Sequence, residues 1–117
     1  MSKYKNKKIT YCGMEFDSYK EARRYGELVA LEKAGIIQGL CTQVPFELIP
    51  AQKLPTPIRM LSGYVKHTER KVVYIADFVY VKEGQTIVED TKGYETEVWK
   101  IKRKLMLYRY GIQVMTL

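Results

Sequence analysis

The sequence predicts a mixed α/β (α+β) domain in which helices flank a central β-sheet. Two segments, residues 18–35 and 96–111, begin with a Ser or Thr that can cap a helix and end at a glycine. Between them, residues 72–81 are rich in β-branched and aromatic side chains, which favour a strand. A chain of 117 residues has room for one hydrophobic core, so we expect a single domain over residues 1–117.

The composition of the chain indicates what kind of partner it binds and which classes of protein it does not belong to. The chain has 20 Lys and Arg residues against 13 Asp and Glu, a net charge of +7, which favours an anionic partner such as nucleic acid. No apolar run approaches the ~20 residues of a membrane span, and residues 1–10 lack the apolar segment of a signal peptide. Two cysteines and one histidine are too few for a disulfide scaffold or a Cys/His zinc site, and they fit a reducing cytoplasm.

The N-terminal part predicts a basic arm, a short strand and a helix. Residues 1–8 contain four lysines and no acid, so they form either a mobile basic arm or an ordinary solvated terminus. Residues 9–16 alternate loosely and predict a short strand or lead-in. Ser18 as N-cap and Glu21 three residues later form a capping box, and the helix should run to about Ala34 before Gly35 ends it.

Glu21 admits two interpretations. On a helical projection it falls inside the apolar arc formed by Ala22, Tyr25, Leu28, Val29 and Leu31. A carboxylate that faces a sheet needs a partner, which indicates a functional role. The capping box explains the same glutamate without any ligand, because its side chain would then bind the backbone at the start of the helix.

The middle of the chain predicts one strand and one long loop. Residues 43–49 form a strand, and Pro45 places it at an edge or a strand start. Residues 50–71 contain three prolines and Gly63, so we expect a long loop with at most a short strand over 60–64. This loop carries candidate contacts to nucleic acid: Arg59, Lys66, Arg70 and Lys71.

The most specific pattern is a hairpin that brings acids together. With a two-residue turn at Glu83 and Gly84, strand 72–81 pairs with strand 86–92 so that Asp77 lies opposite Asp90. Lys92 then projects from the same face as Asp90, whereas Glu89, an alternative ligand, points to the other face.

Two carboxylates placed opposite each other in an apolar sheet require a compensating charge. Like charges at directly opposed positions destabilise a sheet, and burial adds a desolvation cost. A divalent cation between Asp77 and Asp90 would offset both, and oxygen ligands suit Mg²⁺ or Mn²⁺. The alternative is a salt-bridged patch of Asp77, Asp90 and Lys92 on a solvated sheet face.

The C-terminal part predicts a second helix and a final strand. Thr96 caps a helix over 97–110 that ends at Gly111, and residues 112–117 form a strand. We expect a core stripe of Val98, Ile101, Leu105 and Tyr108. The cations roughly opposite this stripe are either phosphate contacts or an ordinary solvated face: Lys100, Arg103 and Lys104. A second apolar ridge, formed by Trp99, Met106 and Tyr110, would pack under the long loop or form a dimer contact.

These motifs resemble a known nuclease superfamily. The strand Y-I-A-D-F, the turn and the segment V-E-D-T-K-G resemble the signature of the PD-(D/E)XK nucleases. The stretches F-D-S-x-x-E-A-x-R-Y, F-E-L-I-P and E-D-T-K-G also resemble a family of small phage-borne nuclease-like proteins, over about residues 16–114. The resemblance implies an αβββαβ restriction-endonuclease-like core.

The resemblance also implies roles for four residues. Asp77 and Asp90 would bind Mg²⁺ or Mn²⁺, Glu21 would be a third acidic ligand, and Lys92 would orient or activate the attacking water. Ala76 stands where the motif has proline, and Asp90 where glutamate is commoner, but neither change removes a functional group.

The resulting hypothesis is a Mg²⁺-dependent endodeoxyribonuclease. By analogy with phage relatives it would act on branched DNA such as a Holliday junction, in the cytoplasm of a bacterial host if phage-encoded. Symmetric cuts need two sites, which implies a homodimer. The alternatives are a basic nucleic-acid-binding module that keeps the fold without cutting, and a metal-free structural or partner-binding protein.

Overall fold

The computed structural model describes residues 9–11, 14–91 and 94–117, and it has the mixed α+β class that the sequence predicts. The predicted basic arm over residues 1–8 and the candidate Lys92 lie outside the described residues. Along the chain the described elements are β1 (Ile9–Tyr11), β2 (Met14–Phe16), α1 (Tyr19–Lys33), β3 (Gln38–Ile49), β4 (Gln52–Arg59), β5 (Val65–Glu69), β6 (Val72–Lys82), β7 (Gln85–Asp90), α2 (Glu97–Tyr110) and β8 (Met115–Thr116).

The central sheet has four strands in the order β3-β6-β7-β8. β3, β6 and β7 pair antiparallel, whereas β8 runs parallel to β7 after the crossover through α2. With the two short hairpins β1–β2 and β4–β5 set aside, the elements follow in the predicted order αβββαβ. β3 lies at an edge of this sheet, as Pro45 predicts.

The predicted hairpin register is correct. Glu83 and Gly84 have φ values of 51° and 76°, both positive, as a two-residue type I′ turn requires. β6 and β7 pair from Lys82↔Gln85 to Phe78↔Glu89. Each of these pairs sums to 167, so continuing the register by one step sets Asp77 against Asp90.

Two core clusters place the helices on opposite faces of the sheet. α1 packs on a cluster that includes Leu28, Phe78 and Tyr80, with Ile87 beside it. α2 packs on a second cluster that includes Trp99, Met106 and Val88. Because neighbouring side chains in a strand alternate, Ile87 and Val88 point to opposite faces. The sheet is therefore covered by one helix on each side.

Both helix starts follow their capping signals. The Ser18 hydroxyl accepts a hydrogen bond from the Glu21 backbone N–H at 3.1 Å, and the Thr96 hydroxyl accepts one from the Trp99 N–H at 3.0 Å. Gly111 caps α2 in the left-handed conformation, with φ of 67°. No helix in the part of the chain that the structure describes is long and apolar enough to cross a membrane.

The prediction of a long loop over 50–71 is wrong. This segment is the hairpin of β4 and β5, and residues 60–64, where a short strand was expected, form its turn. Pro55 and Pro57 lie where the pairing slips between Lys53 and Ile58, so their missing N–H groups break no regular ladder. Prolines, which often indicate a loop, are thus accommodated in a strand at the point where its pairing is interrupted.

The predicted core stripe of α2 is also wrong except at Leu105, which is partly buried against the core. Val98, Ile101 and Tyr108 are 62%, 56% and 88% exposed, whereas Trp99 and Met106 are buried. The Trp99 indole N–H donates a hydrogen bond to Asp90, so this ridge faces the sheet and the expected stripe turns outward. The final strand is shorter than predicted, because β8 spans only Met115–Thr116.

Candidate active site

Three acidic side chains from three different elements come together beside the central sheet. Glu21 lies in the first turn of α1 and is 5% exposed, Asp77 lies in the middle of β6, and Asp90 at the end of β7 is 2% exposed. The charges of Asp77 and Asp90 both act on Glu21. We call Glu21, Asp77 and Asp90 the acid cluster.

A single amide joins two members of the acid cluster. The Gln43 side-chain nitrogen donates to Glu21 Oε2 at 3.0 Å and to Asp77 Oδ1 at 3.4 Å. Gln43 lies in β3 between the pairs Thr42↔Phe78 and Val44↔Ala76, directly across from Asp77. Its φ of 53° is left-handed, a conformation that a non-glycine residue keeps only where the surroundings enforce it.

Burial and neighbouring negative charge raise the pKa of Glu21 to about 7. Loss of solvent contributes most, followed by the charges of Asp77 and Asp17, while a hydrogen bond from the Asp17 backbone acts in the opposite direction. Near neutral pH the buried carboxyl is therefore close to half-protonated. A bound cation would favour the ionised form, because opposite charge stabilises a carboxylate.

Asp77 is fixed by the residue that follows β7. Its Oδ2 accepts hydrogen bonds from the Thr91 backbone N–H at 2.9 Å and from the Thr91 hydroxyl at 2.8 Å. These bonds connect β6 and β7 just beyond their last regular pair. Glu21 fits both interpretations: Ser18 caps the helix and the Glu21 carboxyl accepts a hydrogen bond from the Asp17 backbone, while the same carboxyl also binds Gln43.

Asp90 is oriented by two neutral donors. Its Oδ2 accepts a hydrogen bond from the Tyr74 hydroxyl at 2.7 Å and another from the Trp99 indole N–H at 3.1 Å. Burial and the adjacent Asp90 carboxylate raise the pKa of Tyr74 well above its ordinary value, so the phenol stays protonated and donates. Asp90 is thereby positioned without a formal positive charge from either donor.

Glu89 points away from Asp90, as strand alternation predicts. Arg24, in α1, donates two hydrogen bonds to the Glu89 carboxylate, from Nε to Oε1 at 2.8 Å and from Nη2 to Oε2 at 2.7 Å. The Tyr80 hydroxyl donates to the same carboxylate. Since Arg24 and Glu21 belong to the same helix, this buried pair fixes the helix that carries Glu21 against the strand that carries Asp90.

A cleft with three basic side chains lies between α1 and the last residue of the chain, and no member of the acid cluster lines it. It has a volume of about 440 Å³, and Tyr19, Lys20, Arg23, Arg24, Glu27 and Leu117 line it. Leu117 donates its backbone N–H to the Asp90 carbonyl at 3.2 Å, so the cleft reaches the end of β7. Arg23 is exposed, whereas the Lys20 ammonium donates a hydrogen bond to the Leu117 carbonyl oxygen.

The predicted cations on α2 are not gathered at the acid cluster. Lys100 pairs with Glu97 at 3.0 Å, and Lys104 is exposed. The Arg103 guanidinium stacks 5.3 Å from the centre of the Trp99 ring, whose indole N–H donates to Asp90. The other predicted cations belong to the β4–β5 hairpin and the two residues that follow it: Arg59, Lys66, Arg70 and Lys71.

No local sequence pattern indicates several of the residues that shape the site. Gln43 and Tyr74 reach the acids through the register of β3 and β6, which local patterns do not reveal. Thr91 offered the best signal, because it stands between Asp90 and Lys92 and can donate twice. The apolar ridge that contains Trp99 predicts packing alone, although a buried indole N–H also needs an acceptor.

The donor chemistry fits a hard divalent cation. Among residues 9–11, 14–91 and 94–117, no group of three or more His, Cys, Asp and Glu side chains is arranged to hold a metal ion as it stands. Mg²⁺ does not need such a group, since it keeps several waters and binds through one or two carboxylates. Glu21 and Asp77, bridged by one amide, supply such carboxylates, with Asp90 beside them.

Comparison with known proteins gave one match. A family model described as "Protein of unknown function (DUF1064)" matches residues 1–116. Neither the curated proteins nor the solved structures gave a match.

Proposed function

We propose that this chain, which belongs to the DUF1064 family, is a divalent-metal-dependent endonuclease that hydrolyses DNA phosphodiester bonds. The observation that carries the proposal is the acid cluster, in which α1, β6 and β7 each contribute one carboxylate and the charges of Asp77 and Asp90 both reach Glu21. A fold gains nothing in stability by bringing three such groups together, because their mutual repulsion and desolvation oppose it.

The acid cluster would hold Mg²⁺ or Mn²⁺. When bound, such an ion acts as a Lewis acid that lowers the pKa of water and neutralises charge on a phosphate. Glu21 and Asp77 are the first candidates for ligands because Gln43 already holds their oxygens close together. Asp90 is the third, and its hydrogen bonds to Tyr74 and Trp99 fix its orientation.

The surrounding residues would position and charge the site. Thr91 fixes Asp77, and the Arg24–Glu89 pair holds α1 in place. Lys92 follows Thr91 in the sequence, and its ammonium would orient the attacking water and stabilise charge on the scissile phosphate. Lys20 and Arg23, in the cleft beside β7, would contact neighbouring phosphates of the strand.

The proposal also specifies a substrate and an oligomeric state: branched DNA that is cut by a homodimer. Paired cuts across a junction require two sites related by symmetry. The outward side of α2 offers an apolar surface for a second copy, since Val98, Ile101 and Tyr108 are largely exposed.

A non-catalytic nucleic-acid-binding module is the second candidate. The net charge of +7 supports binding whether or not cleavage occurs. The absence of a ready-made three-ligand group among the described residues favours this alternative. The two candidates differ in what Mg²⁺ does to the bound DNA.

Cleavage assays separate these candidates. Supercoiled plasmid and a four-way junction are incubated with the protein in Mg²⁺, in Mn²⁺ or in EDTA. We expect metal-dependent cleavage by the wild type, and at least a hundredfold loss in Asp77→Asn with DNA binding retained. Glu83→Gln is the matched control, because Glu83 is an exposed acid in the β6–β7 turn. Binding without cleavage in either metal would favour the non-catalytic module.

A further inference from the structure

The β4–β5 hairpin is a two-stranded ribbon that continues outward from the central sheet. β3 and β6 pair as far as Ile49↔Val72, and the ribbon resumes the same register at Gln52↔Glu69. Among the described elements, β4 and β5 make extensive contacts only with each other. The ribbon, defined as residues 52–69, therefore exposes both of its faces to solvent.

The ribbon and the residues at its base are strongly basic. Residues 52–71 contain five Lys or Arg residues and one acid: Lys53, Arg59, Lys66, Arg70 and Lys71 against Glu69. Glu69 lies 2.5 Å from Lys66 and offsets only that charge. Such a density of uncompensated cations on a thin ribbon fits a polyanion.

The tip of the ribbon is apolar although it faces solvent. The turn is closed by hydrogen bonds from the Met60 N–H to the Tyr64 carbonyl at 2.8 Å and from the Gly63 N–H to the Met60 carbonyl at 2.9 Å. Leu61 at its apex is fully exposed, and Met60 and Tyr64 are 43% and 66% exposed. A turn needs none of these side chains, since polar residues serve solvated turns better.

We infer that this ribbon is a DNA-bending arm whose cations follow the phosphates of a duplex groove while Leu61 inserts between base pairs. A two-stranded ribbon fits a DNA groove, and apolar wedges such as Leu and Met kink duplexes by partly unstacking a base step. The choice of DNA as partner rests on the proposed function. The arm adds that the substrate is duplex DNA held in a bent form.

The length of the strands determines how far from the acid cluster the tip of the arm can contact DNA. From Tyr64 to Asp77 the chain runs along β5 and β6, and extended strands rise about 3.3 Å per residue, so the tip lies up to about 40 Å from Asp77. One turn of duplex DNA spans about 35 Å. The arm therefore engages the duplex about one turn away from the acid cluster.

A second copy of the chain fits the ribbon less well. Pro55 and Pro57 remove two N–H groups from β4, so that this edge is poorly suited to pairing with another strand. Two like-charged ribbons would also repel each other. DNA satisfies both the charge of the stem and the apolar tip.

DNA bending measured without cleavage tests the arm. A duplex of about 30 base pairs, labelled at both ends for energy transfer, is titrated with the protein in EDTA. We expect the wild type to shorten the end-to-end distance. Leu61→Ser should bind about tenfold more weakly and leave the duplex straight. The matched control is Leu107→Ser, an exposed leucine on α2, which should bend DNA as the wild type does.

The salt dependence of DNA affinity tests the positive charges of the arm, with a separate control variant. Lys53→Gln, an exposed lysine within the ribbon, should lower the slope of log affinity against log salt by about one, because one phosphate contact is lost. Lys82→Gln, an exposed lysine at the distant β6–β7 turn, should leave the slope unchanged. Equal effects of the two substitutions would contradict a specific role for the arm.

The outcomes distinguish the arm from the proposed function. If the wild type leaves DNA straight, or if Leu61→Ser bends it normally, the inference is wrong even if Mg²⁺-dependent cleavage occurs. If DNA is bent in EDTA but never cut with metal, the arm stands and the nuclease proposal fails. Sedimentation of the wild type and of Leu61→Ser tests whether the ribbon binds a second copy of the chain instead. If the wild type is a dimer that Leu61→Ser converts to a monomer, with DNA affinity unchanged, the inference is overturned in favour of self-association.

Discussion

At the scale of single residues, the most informative group is the buried carboxyl of Glu21. Its helical position predicts that it faces the sheet, and there it shares the Gln43 amide with Asp77. The helix face predicts that Glu21 needs a partner at the sheet, whereas its grouping with Asp77 is implied only by the resemblance to the nuclease superfamily. Gln43 could not be predicted, because its left-handed backbone and its place across from Asp77 depend on the long-range pairing of β3 with β6.

The raised pKa of Glu21 predicts a pH-dependent stability of the metal-free protein. Between its ordinary value of 4.5 and about 7 in the folded state, the folded chain binds more protons than the unfolded chain. The free energy of unfolding should therefore fall by on the order of 2 kcal/mol as the pH rises from about 5 to about 8. Glu21→Gln should remove most of this slope and be more stable than the wild type at pH 8.

Urea denaturation in EDTA across this pH range measures the effect. Glu83→Gln, an exposed acid in the β6–β7 turn, should keep the wild-type slope. A wild type whose stability rises steadily with pH would show that Glu21 is ionised and well solvated in the folded state.

At the scale of elements, the features that depend on local signals can be predicted from the sequence, whereas those that depend on long-range contacts cannot. The starts of α1 and α2 and the register of β6 with β7 follow from caps and a turn, which act over a few residues. The inward face of α2 does not, because it is decided by the bond from Trp99 to Asp90. The β4–β5 ribbon does not follow from the sequence, because prolines indicate a loop and the free edge of a strand tolerates them equally.

The joint between α1 and β7 yields a second prediction. Arg24→Met would leave the buried Glu89 carboxylate without its cation, and such a change should lower the free energy of unfolding by about 3–5 kcal/mol. The double variant Arg24→Met with Glu89→Leu should recover a large part of the loss, since no uncompensated charge remains. Denaturant titration measures both, with the exposed neighbour Arg23→Met as the control. If Arg24→Met and Arg23→Met had equal small effects, the pair would not fix the helix.

At the scale of the whole molecule, the distribution of positive charge should govern the encounter with DNA. The acids are gathered in the interior beside the sheet, while cations line the cleft on α1 and the β4–β5 ribbon. This separation lets a net charge of +7 attract a phosphate backbone although the centre of the site is acidic.

The cleft predicts a measurable salt dependence. The double variant Lys20→Gln with Arg23→Gln should lower the slope of log affinity against log salt by about two, uniformly across DNA sequences. Fluorescence anisotropy in EDTA measures the slope, and Lys33→Gln at the far end of α1 should leave it unchanged. A slope that responds to Lys33 as strongly as to the cleft residues would mean that binding follows total charge alone.

The most direct test is calorimetric titration of Mn²⁺ into metal-free protein at pH 8, where the Glu21 carboxyl is mostly ionised. We expect saturable binding by the wild type and by Glu83→Gln, with at least tenfold weaker binding by Asp77→Asn and by Glu21→Gln. Saturable binding that survives both substitutions, or a wild type that takes up no Mn²⁺, would contradict the assignment of a cation site to the acid cluster.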